Sequence, residues 1–218
     1  MSSVNAQRVA EPSRPPLRLG FLASHGGSNA QAIFDACRKG TLHGEACVLI
    51  SNNSRAGVRD RAECAGVPFY HLSSTTHPIP AELDAAILQA LRCHGVEVVC
   101  LTGYMKKLGA HMLATYRGRI LNIHPSLLPK FGGRGMYGIR VHEAVLAAGE
   151  AESGATVHLI SDEYDQGSIL AQERITVCAG DSAEALQARV LAVEHRIYTE
   201  TLQRIAAGSL ALEGLTRR

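Results

Sequence analysis

No apolar stretch of the sequence approaches the roughly 20 residues that a helix needs to cross a bilayer. The longest, around Glu97–Leu101 and its neighbours, falls far short, so no membrane span is expected. There is no long run of Lys or Arg, and the formal net charge is only +2. Bulk electrostatics therefore point to neither nucleic acid nor an anionic membrane surface, and any anion site must be local. The six cysteines (Cys37, Cys47, Cys64, Cys93, Cys100 and Cys178) contain no CxxC pair. Reduced, buried thiols fit that scatter better than disulfides or a zinc cluster. Residues Met1–Pro16 lack the apolar centre of a secretory signal and read as a disordered leader, which makes a cytoplasmic location the expectation. Leu146 stands where HExxH would need its second His after His142-Glu143, so no zincin motif is present and no metal is expected. No Ser lies in a GxSxG elbow, which removes the common hydrolase reading.

What is present describes a globular enzyme-sized unit. Hydrophobic residues make up 46% and charged residues 19% of 218 positions, a balance that supports one well-buried core. From Leu17 short apolar runs alternate with amphipathic stretches, the rhythm of βαβ units. Strands are expected at Leu17–Ala23, Ala46–Ser51, Pro68–His71, Glu97–Leu101 and Ile120–Ile123. Helices are expected at Ser28–Lys39, Gly57–Ala65, Ala81–Cys93 and Lys107–Tyr116. Beyond a Gly-rich loop, Gly132 to Gly138, the pattern predicts a helix over Val141–Ala148 and strands over Ala155–Ile160 and Ile169–Val177, the last two suited to a partly antiparallel pair. A final helix, from about Ser182 to Ala207, opens on an Asp181/Ser182 cap signal and carries Leu186, Val190, Val193 and Ile197 on one stripe. Right-handed crossovers give an α/β, Rossmann-like, doubly wound and mostly parallel sheet in a single domain. The domain is expected over residues 17–210, between the leader (1–16) and a tail (211–218).

Three segments hold residues suited to chemistry. Ser24-His25-Gly26-Gly27-Ser28-Asn29 follows the first strand and opens a helix. Its glycines let the backbone approach an anion, and the free amides of the helix start favour a phosphate; the spacing is not GxGxxG. Its bland alternative is a tight strand-to-helix turn. Asn122-Ile123-His124-Pro125 ends a buried strand, and alternation puts Asn122 and His124 on one side, where an amide and an imidazole without partners would be costly. At the carboxyl end of a parallel strand they face the crevice where ligands bind; the bland alternative is a satisfied structural histidine. Asp162-Glu163-Tyr164-Asp165-Gln166-Gly167 is by itself an ordinary solvated turn, unless Asp165 meets His124.

Together these segments resemble the folate-dependent phosphoribosylglycinamide formyltransferases, over about Leu17 to Tyr198. The most specific strings are Gly27-Ser28-Asn29, Leu121 to Lys130 (LNIHPSLLPK), Asp162–Gly167 and Ala188–Tyr198 (ARVLAVEHRIY). The resemblance implies the formyltransferase fold, 10-formyltetrahydrofolate as co-substrate, no metal, and transfer of its formyl group to the amine of glycinamide ribonucleotide in purine synthesis. It implies a catalytic trio of Asn122, His124 and Asp165. Ribonucleotide contacts would come from Gly27, Ser28, Asn29 and Glu194. Folate contacts would come from Met105, Lys106, Lys107, Leu108, Asn122, Ser161, Asp162, Glu163, Tyr164 and Asp165, with Thr156 and His158 behind them. The implied partners are small molecules, and the chain would be a monomer or a homodimer.

The sequence departs from the family at three places. His25 stands where many members have Gly, Pro80 where some carry a folate-contacting Arg, and the Phe131–Gly138 stretch is longer and richer in Gly than usual. Arg134 in that stretch is a candidate for reaching an anionic group. The competing readings are a formyltetrahydrofolate hydrolase, which usually carries an extra N-terminal domain, a sugar-nucleotide N-formyltransferase, and a non-catalytic nucleotide-binding module.

Overall fold

The computed structural model describes residues 14–161 and 164–215. Its elements run β1 Leu17–Ala23, α1 Ser28–Lys39, β2 Gly44–Ser51, α2 Val58–Ala65, β3 Phe69–His71, α3 Pro80–Cys93, β4 Val98–Leu101, α4 Ala110–Thr115, β5 Ile120–His124, α5 Ile139–Ala147, β6 Glu152–Leu159, β7 Ile169–Thr176 and α6 Ala183–Ala206. One sheet takes them in the order β3-β2-β1-β4-β5-β6-β7. Strands β3 through β5 pair parallel, while β6 and β7 pair antiparallel. The expected doubly wound, mostly parallel sheet is thus present, and the last two strands do form an antiparallel pair.

Both faces of the parallel strands are covered, which is why they read as near-continuous apolar runs and not as alternating ones. On β1 the side chains of Leu19, Phe21 and Ala23 enter the core shared with α1 and α6, whereas Leu22 enters the core shared with α3 and α4. Phe21 and Phe34 meet edge to face, their rings 5.0 Å apart. Truncating one of the fully buried aliphatic side chains here, such as Leu19 or Leu91, would cost about 2–5 kcal/mol.

Helix α6 forms as its cap predicts: the Ser182 hydroxyl accepts from the Ala185 amide at 3.2 Å. It buries Leu186, Val190, Val193, Ile197 and Leu202. Tyr198, fully buried, shares its hydroxyl proton between the carbonyls of Leu101 and Leu121, at 3.3 and 3.0 Å. That contact pins α6 against the ends of β4 and β5. Outside the expected domain limits, Arg14 donates to the Ala207 carbonyl at 2.7 Å, and Leu212 is buried in the core. Residues 1–13 of the expected leader and 216–218 of the expected tail lie outside the described residues.

One expected element is shorter than the sequence suggests. The helix predicted over Lys107–Tyr116 forms only at Ala110–Thr115. Its start is set from another helix: Asp84 of α3, buried at 5% exposure, accepts from the amides of His111 and Met112 at 2.8 and 3.3 Å. This carboxylate satisfies orphan amides of α4 and complements its dipole, and nothing local in the sequence reports it. The residues before it, Met105 to Leu108, form neither helix nor strand, and the Met105 amide donates to the Ser24 hydroxyl after β1. Among the described residues no helix is long and apolar enough to cross a membrane.

Candidate active site

Strand β5 delivers Asn122 and His124 to the carboxyl edge of the sheet, beside β6, with Asn122 opposite His158 and His124 opposite Thr156. The His124 ring is nearly buried, and its Nε2 lies 2.8 Å from the Phe131 carbonyl. A carbonyl can only accept, so Nε2 carries a proton and the ring is fixed with its Nδ1 edge toward Asp165. His124 Nδ1 is 3.6 Å from Asp165 Oδ2, an ion-pair distance if the ring is protonated, and longer than a hydrogen bond.

Asp165 sits at φ 56°, a left-handed conformation that Asp and Asn tolerate better than most residues. The Gly133 amide donates to its Oδ2 at 2.8 Å, and its Oδ1 faces His158 Nε2 at 3.5 Å. Two residues on, Gly167 must be glycine: a Cβ there would stand 1.7 Å from the Leu159 carbonyl oxygen. The loop therefore closes tightly onto the end of β6, and this close approach carries Asp165 over His124.

His158 is fully buried, and its Nδ1 donates to the Leu159 carbonyl at 2.9 Å. Burial depresses its pKa, and the nearby His124 works in the same direction against the Leu159 and Asp165 contacts. A neutral ring with the proton on Nδ1 has a lone pair on Nε2, which takes an Asn122 Nδ2 proton at 3.1 Å. His158 thereby orients the Asn122 amide and leaves its second N–H for a ligand. Thr156 acts on the segment after His124. Its hydroxyl donates to the Ser126 carbonyl at 2.6 Å and accepts from the Leu128 amide and Gln172 Nε2. His142, buried on α5, has its pKa pushed down to about 4, by burial first and by His124 second. It adds no competing charge at neutral pH.

The turn after β1 lies at the same edge of the sheet, because β1, β4 and β5 run parallel. Gly27 caps α1 at φ 68°, ψ 36°, and a Cβ there would meet Val58 Cγ2 at 2.1 Å, so only glycine lets α2 pack against this turn. No side chain caps α1, which leaves its first amides open to an anion. Asn29 Nδ2 donates to Glu194 Oε2 of α6 at 2.8 Å, while Asn29 Oδ1 is buried without a partner. Burial raises the Glu194 carboxyl pKa, against the lowering effect of Asn29. Ser24, almost wholly buried, ties the turn to the segments after β2 and β4: its hydroxyl donates to Asn52 Oδ1 at 2.5 Å and accepts from the Met105 amide at 2.8 Å.

Residues 17–202 match the formyl transferase family, most of the chain's length. The chain belongs to that family. The crystal structure of glycinamide ribonucleotide transformylase 1 from Symbiobacterium toebii is 40% identical, with a TM-score of 0.84 over 93% of each chain. The phosphoribosylglycinamide formyltransferase of Escherichia coli K12 is 36% identical over 196 residues, covering 90% of both chains. The chloroplastic phosphoribosylglycinamide formyltransferase of Vigna unguiculata is 40% identical over 186 residues. That match takes in 85% of this chain but 60% of the relative, so the chain spans about three fifths of that plant protein.

As a formyl transferase the chain brings Asn122, His124, His158 and Asp165 together, Asn122 hydrogen-bonded to His158 and Asp165 within 3.6 Å of both imidazoles, and Glu194 onto Asn29 of the amide turn. Thr156 touches the segment after His124 and makes no hydrogen bond to the imidazole. Tyr164 is exposed, and Asp162 and Glu163 lie outside the described residues. Arg134 lies exposed on the Gly-rich loop, and Pro80 is the first residue of α3. Sequence reading missed the backbone groups: the Phe131 carbonyl and the Gly133 amide each hold a member of the trio. The glycines of that loop were the available signal, since glycine lets a backbone approach buried side chains closely.

Proposed function

We propose that this formyl transferase moves the formyl group of 10-formyltetrahydrofolate to the amine of glycinamide ribonucleotide, a step of purine synthesis, in the cytoplasm. The observation that carries the reading is the convergence of Asn122, His124 and Asp165 around His158 at the carboxyl end of β5, on the sheet edge where the uncapped helix start follows β1. The formyl carbon is attacked by the amine, and negative charge builds on its oxygen. The free Asn122 N–H and the His124 Nδ1–H are donors for that oxygen, and preorganised donors of this kind account for a large share of acyl-transfer catalysis. Asp165 holds the imidazolium and carries the proton from the attacking nitrogen toward the departing folate nitrogen, through water. The ribonucleotide phosphate lies on the amides of Gly27, Ser28 and Asn29, with Glu194 on the sugar or glycinamide. The folate lies between the Met105–Leu108 segment and the loop from Ser161 to Asp165, with further contacts from Asp162, Glu163 and Tyr164.

Incubating the protein with 10-formyltetrahydrofolate and glycinamide ribonucleotide tests the reading. Formylated ribonucleotide and free tetrahydrofolate in equal amounts are expected. Formate released at the same rate without the amine would instead assign a hydrolase, and ligand binding without turnover a non-catalytic module.

Glu194 offers a separate check, because function and stability pull against each other there. Its raised pKa means that the folded state disfavours the carboxylate, so stability falls as pH rises from the ordinary carboxylate range through the folded value. Glu194→Gln removes that cost and supplies an N–H for the orphaned Asn29 Oδ1. A gain of about 1 kcal/mol and about 2–4 °C in melting temperature is expected at pH 8, fading toward pH 4. In the same variant the KM for the ribonucleotide should rise at least about tenfold, the loss expected for a charged hydrogen bond. A lower melting temperature, or an unchanged KM, would contradict the placement.

A further inference from the structure

We propose that Arg61 is the counter-ion of the substrate phosphate, a guanidinium fixed across the amide turn that makes the site select a phosphorylated acceptor; this rests on the ribonucleotide reading above. The first turn of α2 docks onto the turn after β1. The Val58 amide donates to the His25 carbonyl at 3.1 Å, and Val58 fills the space that a side chain at residue 27 would need. Arg61 lies three residues further along α2, on the same face. Its Nε donates to the Gly26 carbonyl at 2.7 Å and its Nη1 to Gln31 Oε1 at 3.4 Å. The planar head therefore reaches from the residue before the amides of Gly27, Ser28 and Asn29 to the first turn of α1 beyond them.

The charge at this place is not spent on protein partners. Arg59 and Arg38 nearby are paired with Glu63 and Asp35, whereas Arg61 forms no ion pair among the described residues. Its close neighbours are neutral acceptors, the Gly26 carbonyl and the Gln31 amide. The imidazole of His195 is held toward its neutral form, by burial first and by Arg61 second. A half-buried guanidinium tethered through Nε and Nη1 keeps its Nη2 edge for a ligand. Planar, fork-like donors match phosphate oxygens better than an ammonium does. Backbone amides alone bind anions by dipoles and hydrogen bonds; Arg61 adds the full charge that separates a phosphate ester from a neutral hydroxyl.

The test uses Arg61→Gln and Arg61→Lys of the full chain, with inorganic phosphate as a calorimetric probe. In Arg61→Gln the KM for the ribonucleotide should rise about tenfold or more, with kcat and the KM for the folate within about twofold of the parent. Affinity for inorganic phosphate should fall in parallel, and Arg61→Lys should restore most of it. Unchanged phosphate affinity and unchanged ribonucleotide KM in Arg61→Gln would overturn the proposal. A joint rise of both KM values with a fall in kcat would also overturn it, marking Arg61 as a prop of the turn. If Arg61→Gln does not fold, Arg61→Lys decides by itself: phosphate affinity within about threefold of the parent supports a charge-based role, and its abolition refutes one. If the parent formylates no ribonucleotide, the functional reading fails, and the phosphate titration still decides the part concerning Arg61.

Discussion

Asp165→Asn is expected to lower turnover by about a hundredfold or more, the scale seen when a positioned charge is removed from an acyl-transfer site, while ribonucleotide affinity stays within about twofold. The substitution isolates charge from shape. Asp165 is held at φ 56°, and Asn is among the residues that best adopt that conformation, so the loop backbone has no reason to move. An amide oxygen still accepts from the Gly133 amide, which presently donates to Oδ2 at 2.8 Å. What disappears is the negative charge 3.6 Å from His124 Nδ1, the partner that the proposed mechanism gives to the imidazole. Single-turnover kinetics with saturating folate, beside a ribonucleotide titration, give the two numbers. Parent-like turnover would remove Asp165 from the chemistry, and a matching loss of affinity would make its role structural.

Gly167→Ala should bring a comparable loss, about a hundredfold in kcat, without touching any group that meets substrate. A methyl at this position would stand 1.7 Å from the Leu159 oxygen and 2.6 Å from its carbon, both backbone atoms that cannot swing aside. The loop between β6 and β7 must then lift, and Asp165, two residues away, must lift with it. A displacement of about 1 Å at a reacting group costs on the order of a hundredfold in rate. The sheet itself should survive, because β6 and β7 stay paired from Glu152↔Thr176 to Val157↔Ala171, away from the altered end. Circular dichroism and thermal melting are expected to show a folded protein that has lost a few degrees at most. Full activity would mean that the loop reaches its working position by another closure.

The fold was legible because its signals are local and repeated. The strand Leu17–Ala23 and the helix Ser28–Lys39 form at the expected residues, and the Ser182 cap does what its side chain predicts. Two buried faces turn each parallel strand into an apolar run, and α6 shows its stripe in the spacing of Leu186, Val190, Val193 and Ile197. The helix expected from Lys107 instead begins at Ala110, because the group that starts it, Asp84, comes from another helix. Asn122 and His124 were legible as a pair, since two polar side chains on one side at the end of a buried strand are costly without a use. The approach of Asp165 to His124 was not, because an acidic, Gly-ending loop looks the same whether it is solvated or folded back over an imidazole.

By itself the sequence determined the alternating α/β order, the glycine turn after β1 and the candidate side chains, since composition and spacing act over a few residues. The tertiary structure alone decided which of them meet. Asp165 reaches His124 through the closure at Gly167, Glu194 reaches Asn29 across some 165 positions, and Arg61 comes to the amide turn on a different helix. Such contacts depend on how α2, α6 and the loop after β6 pack on the sheet, and packing is a property of surfaces brought together, which no short stretch of chain contains.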